Sequence, residues 1–161
     1  MSRSPIRNQL LINDGLGNKL PISTGTWVTN AVNIDEHRRL SLTIGVTSAT
    51  GAIGDIGGWT GTLLVQGTDE LGQNNGATGT QEAGNTNRPG INGFTGARFW
   101  NTIPSGSVAI NNGTQSILLS FSDVGCAYVR VAFNVSATGP LPNATNCGSG
   151  TFNVYLTAKN T

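Results

Sequence analysis

The chain has 161 residues and a mass of 16.6 kDa, enough for one domain with a real core. Charged residues make up only 11% and the formal net charge is +1, so the basic field that nucleic-acid binders use is absent. Gly, Thr, Asn and Ser supply nearly half of the chain, and they favour turns and extended structure over helix.

The start, MSRSPIRNQLLIN, has a basic flavour but no apolar core of a secretory signal, and no run of 18 apolar residues marks a membrane helix. Residues 1–21 read as an extended N-terminal arm between Pro5 and Pro21 that adds little to the core, either a strap onto a neighbour or a frayed terminus. The body, 22–161, then gives one strand after another. TWVTNAVNI (26–34) leads into the charged turn DEHRR, and RLSLTIGVT (39–47) alternates cleanly, with Leu40, Leu42, Ile44 and Val46 on one face. GTLLVQG (61–67) precedes a long Gly/Asn/Thr-rich loop, 68–97. ARFWNTI (97–103) and SVAI (107–110) are joined through PSG, and NNG at 111–113 reads as a hairpin turn into QSILLSFS (115–122).

The last two strands have the clearest pattern and are expected to form a terminal hairpin. CAYVRVAFNV (126–135) turns Val129, Val131, Phe133 and Val135 to one side and Tyr128, Arg130 and Asn134 to the other. TFNVYLTAK (151–159) turns Phe152, Val154, Leu156 and Ala158 inwards. About eight strands without helical periodicity predict an all-β fold, a single jelly-roll-like β-sandwich.

Little in the sequence suggests catalysis, and no cofactor or metal motif is present. His37 lies in the turn DEHRRL without a nucleophile motif and reads as a solvated turn histidine. The pairs Asp35/Glu36 and Asp69/Glu70 lack the setting of a glycosidase acid. Asp14, Asn13 and Asn18, or Asp69, Glu70 and Glu82, have no calcium-loop spacing. Cys126 and Cys147 fit no zinc pattern; they stand at strand rims, either as two free thiols or as a bridge across the expected hairpin. Trp59 and Trp100 frame the long loop and Trp27 begins an earlier strand. These rings serve either as caps on the core or as a sugar-stacking platform.

The order GWTGTLLVQGTDE (58–70), RFWNTIPSGS (98–107), DVGCAYVRVAFNVS and GSGTFNVYLTAKN resembles small β-sandwich virion structural proteins of tailed bacteriophages, of the head decoration (cement) or tail-associated type. The resemblance covers roughly 58–70 and 98–159. It implies a non-enzymatic virion component, made in the host cytoplasm, which binds capsid or neighbouring subunits through arm and loop. A homo-oligomer is expected, a trimer being favoured, with no nucleic acid and no membrane as partner. The partner-binding residues expected on this reading are Arg3, Arg7, Leu10, Ile12, Trp59, Arg88, Phe94, Arg98 and Trp100. Two other readings stay open: a carbohydrate- or receptor-binding module using Trp59 and Trp100, and a self-assembling shell or filament subunit whose arm is a donated strand.

Overall fold

The structure is a computed structural model describing residues 4–13, 15–20, 25–34, 37–49, 58–69, 100–111, 115–138 and 149–160, with the backbone alone at 48, 49, 58, 59, 111, 137, 138 and 149. Among the described residues nine strands run β1 (Ile6–Leu10), β2 (Gly25–Val28), β3 (Val32–Asn33), β4 (Arg39–Ala49), β5 (Gly58–Thr68), β6 (Asn101–Asn111), β7 (Gln115–Phe121), β8 (Tyr128–Thr138) and β9 (Ser149–Lys159). They form two antiparallel sheets, one ordered β1-β9-β4-β7 and the other β2-β8-β5-β6 with β3 also on β8. The fold is all-β, a sandwich as expected. β2 and β3 are one edge strand broken in the middle, so each sheet has in effect four strands. Sequence neighbours mostly lie in opposite sheets, which is the interleaving of a jelly roll.

The period-two pattern sets the core. Val129, Val131, Phe133 and Val135 of β8 meet Phe152, Val154, Leu156 and Ala158 of β9, all buried. Phe133 and Phe152 stack across the two sheets with centroids 5.2 Å apart. Burying each large apolar side chain contributes about 1.5–3 kcal/mol. Gly61 makes room for this pair: a Cβ there would lie 2.8 Å from Cε2 of Phe133. Tyr128, expected towards solvent, is buried on the outer face, opposite Thr68.

Two expected hairpins are corrected. β8 and β9 do not pair; β8 lies between β5 and the β2/β3 edge, and β9 between β1 and β4. β6 and β7 do not pair either, since β6 joins β5 and β7 joins β4. Alternation shows that a strand has one buried face, and both sheets of a sandwich offer the same face, so the pattern is silent on which sheet receives it. The edge expected as one strand over 26–34 breaks at Thr29, whose buried hydroxyl accepts the Val131 N–H at 3.0 Å in place of a backbone carbonyl.

The N-terminal segment also departs from the expected separate arm. β1 pairs with β9 from Ile6 opposite Ala158 to Leu10 opposite Val154. Beyond it, Asn13 N–H donates to Val28 O and Asn30 N–H to Leu11 O, while Leu20 N–H donates to Gly150 O. The turn between relies on Gly15 and Gly17, at φ +88° and +64°, values that side chains resist. Leu10, Ile12 and Leu20 are 0, 4 and 5% exposed, so this stretch completes the sandwich's own core.

Candidate functional site

One end of the sandwich is built differently from the rest. Along β5 and β6 the register moves from Leu64 opposite Ser107 to Gln66 opposite Thr102, so β6 spends five residues where β5 spends two. The extra residues are Pro104, Ser105 and Gly106, the PSG that the sequence reading placed between two strands. Proline lacks the N–H that a ladder needs, Ser105 sits at φ +63°, and a Cβ on Gly106 would lie 2.8 Å from the Ile103 carbonyl oxygen. Across from this bulge, β7 ends at Phe121 and the chain turns through Asp123, at φ +54°, before β8.

Between bulge and turn opens a cleft of about 870 Å³. Thr68 and Asp69 come from the end of β5, Asn101 to Ser105 from the start of β6, and Ser120 to Cys126 from β7 and the turn after it. Ser105 and Asp123 are the two non-glycine residues with positive φ among the described residues, and both line this cleft. Such strain of about 1–3 kcal/mol per residue persists only where surrounding structure holds it, and it clusters at functional sites.

Among the described residues the lining is rich in hydroxyl-bearing side chains (Thr68, Thr102, Ser105, Ser120, Ser122), with Asn101, two carboxylates and the half-buried Phe121, and none of these lining residues is Lys, Arg or His. Asp69 is held in place because its Oδ1 accepts the Ala127 N–H at 2.9 Å. Cys126 is a free, half-buried thiol against Gly67, where a Cβ would lie 2.5 Å from Sγ. Burial and the nearby Asp69 carboxylate push it up from 9.0 to about 11, against a smaller opposing pull from a Thr68 backbone hydrogen bond. The thiol is therefore protonated at neutral pH, the inert form. A smaller hollow of about 460 Å³ shares Asp69, Asp123 and Cys126 and adds His37 and Arg38. His37 is not the solvated turn residue expected from its neighbours: it is 6% exposed, with Nε2 3.3 Å from the Ser4 carbonyl oxygen. Among the described residues, no group of three His, Cys, Asp or Glu could hold a metal ion.

The residues singled out in the sequence do not gather here. Arg3, Arg88, Phe94 and Arg98 lie outside the described residues, as do 70–97 of the long loop and Cys147. Trp59 is described by its backbone alone, opposite Ala137 in the β5–β8 ladder. Arg7 is exposed on β1, whereas Leu10 and Ile12, expected to face a partner, are buried in this chain's own core by the pairings of that segment. Trp100 lies just before β6 with the Arg130 guanidinium 4.2 Å from its ring centroid. Arg130 Nε donates to Gln66 Oε1 at 2.9 Å, and burial pushes the guanidinium down to about 10, still charged at pH 7. One face of Trp100 is thus occupied by a cation–π contact and is not open to a sugar. What the sequence reading missed is the cleft itself. Its serines, threonines and aspartates look like ordinary turn chemistry until three distant segments meet; the signal present in the sequence was PSG interrupting a strand.

No protein-family model matches the chain and no curated protein matches it, so the resemblance to virion proteins stands on the quoted motifs alone. Among solved structures, the chain is similar to a carbohydrate-binding module (CBM6cm-2) of Cellvibrio mixtus lichenase 5A in complex with cellotriose, at 11% identity and TM-score 0.38, covering 100% of this chain and 90% of that one. A CBM4 structure is similar at 7% identity and TM-score 0.37, covering 94% and 78%. Likenesses at this level assign no residue and no activity to this chain.

Proposed function

We propose that the chain is a non-catalytic carbohydrate-binding domain that takes a neutral glycan in the cleft at the bulged end of the sandwich. The observation that carries this reading is the cleft's described lining: five hydroxyl-bearing residues, an amide and two carboxylates around a half-buried phenyl ring, with no cation among these described residues. A pyranose has the complementary chemistry. Its hydroxyls donate to Asp69, Asp123 and the Asn101 carbonyl and exchange hydrogen bonds with the serines and threonines, and its C–H face rests on Phe121. An anionic ligand such as a phosphate meets two carboxylates and, among the described lining residues, no positive partner. The bulge and the turn hold these groups on strand ends, so little ordering remains to oppose binding.

The test is calorimetric titration of neutral gluco-, manno-, galacto- and xylo-oligosaccharides into the chain, repeated with Asp123→Asn and Phe121→Ala. Asp123 is exposed, so its substitution leaves the fold intact. Saturable binding weakened about tenfold or more by each change is expected, equivalent to about 1.4 kcal/mol. Absence of binding to every glycan, or binding indifferent to both substitutions, contradicts the proposal.

A further inference from the structure

The sheets of this sandwich have four edges, and three of them carry a feature that blocks pairing with another chain. β1 has five residues, follows Pro5 and bears the exposed Arg7. The β2/β3 edge is broken into strands of four and two residues. β6 carries Pro104 and the bulge, which split its ladder into Asn101–Thr102 and Ser107–Asn111. Charge, proline, shortness and bulges are the means by which proteins keep sheet edges from joining. β7 has none of them. Its seven residues, QSILLSF, are free of charge and proline, and among the described residues only β4 pairs with it. Leu118 at its centre is 69% exposed on the outer face, the most exposed of the large hydrophobic residues described.

We infer that β7 is the interface for a second copy of this chain, the two β7 strands pairing antiparallel about a two-fold axis at Leu118. The reason for a second copy is the strand's own sequence. Residues 116–120 read SILLS, a pattern that matches itself when reversed. Centring the pair on Leu118 places Leu118 opposite its symmetry mate, Ile117 opposite Leu119, Ser116 opposite Ser120 and Gln115 opposite Phe121. On the outer face hydroxyl meets hydroxyl and leucine meets leucine. On the core side, Ile117, Leu119 and Phe121 are only partly buried against the core, and Ile117 and Leu119 cover each other across the axis. A slip of one residue turns every side chain to the wrong face, and a slip of two sets Leu118 against serine, so one register stands out. A two-fold contact of this kind closes on itself and merges the two four-stranded sheets into one of eight strands. Across it the exposed row Gln9, Tyr155, Thr43, Leu118 runs on into its mirror sequence in the second copy.

The interface shares Ser120 and Phe121 with the cleft lining, but its readout, the oligomer's mass, is distinct from glycan binding. Sedimentation velocity of the full chain over a concentration series is expected to show a reversible dimer, twice the 16.6 kDa chain mass. Leu118→Lys is expected to weaken it about tenfold or more while the melting temperature holds, because like charges then face each other across the axis. Leu118→Glu is expected to do the same, and mixing the two variants to restore dimers. A monomer at every concentration, or an oligomer indifferent to Leu118→Lys, overturns the interface. A mixture no more dimeric than either variant alone overturns the two-fold register.

Discussion

The two sheets draw on the same residue types and end up with different regularity. β4 and β9 pair over eleven successive positions, from Arg39 opposite Lys159 to Ala49 opposite Ser149, without a break. β5 and β6 lose their register at Leu64 and Gln66, and the chain there carries a proline, a serine at positive φ and a glycine pressed against two carbonyls. The first sheet is a wall. The second pulls its edge away from the sandwich end, and the cleft opens where it does so. A regular ladder gives every polar side chain to a flat face; only a bent one gathers hydroxyls, an amide and carboxylates around a hollow.

The largest expected effect treats both sheets alike. Phe133→Ala removes the ring that stacks on Phe152 and should cost about 3–5 kcal/mol in denaturant unfolding, with a single transition because both sheets share that contact. Two transitions would show that the sheets are separate cooperative units. Next comes a pair of glycine substitutions that separates the sheets. Gly106→Ala drives a Cβ against the Ile103 and Val65 carbonyl oxygens, which are backbone atoms unable to swing aside, and should cost about 1–3 kcal/mol. Gly45→Ala, in the regular β4, meets no atom within 4 Å and should gain about 0.5 kcal/mol by restricting the unfolded chain. Equal outcomes for the two would remove the distinction between wall and bend.

The last effect, on the thiol behind the cleft, leaves stability independent of pH near neutrality and emerges only in alkali. Cys126 is pushed up to about 11 in the folded chain, against 9.0 without that environment. The folded state therefore holds this proton more tightly. The stability so gained is present below pH 9 and is lost as pH rises through about 11. Stability of the native chain should fall more steeply between pH 9 and 11 than that of Cys126→Ser, and alkylation of Cys126 at pH 7.5 should be slow relative to an exposed thiol. Matching pH slopes for the two proteins would show that Asp69 and burial do not bear on this thiol.

The strands were legible in the sequence where alternation is clean. Leu40 to Val46, Val129 to Val135 and Phe152 to Ala158 fall on the buried face as read. What alternation omits is the neighbour. A turn such as NNG at 111–113 ends a strand equally well whether the chain returns beside it or crosses to the other sheet. The N-terminal stretch misled for a related reason: Leu10, Ile12 and Leu20 are few and separated by turn residues, so nothing local shows that β9 and residues 28–30 enclose them. His37 sits among charged residues in sequence, yet a carbonyl 33 positions away reaches its ring. The cleft was the least legible feature. Asn101, Ser105, Ser120 and Asp123 acquire meaning only when the ends of β5, β6 and β7 converge.

The most direct test of the central claim is an amide nitrogen–proton NMR titration of the labelled chain with the tightest-binding neutral oligosaccharide from the calorimetric panel. Saturable shifts are expected, concentrated on Thr68, Asp69, Asn101 to Ile103, Ser105 and Ser120 to Cys126. Shifts centred instead on Tyr155 and the outer face of the regular sheet, or no shift with any glycan, would contradict it.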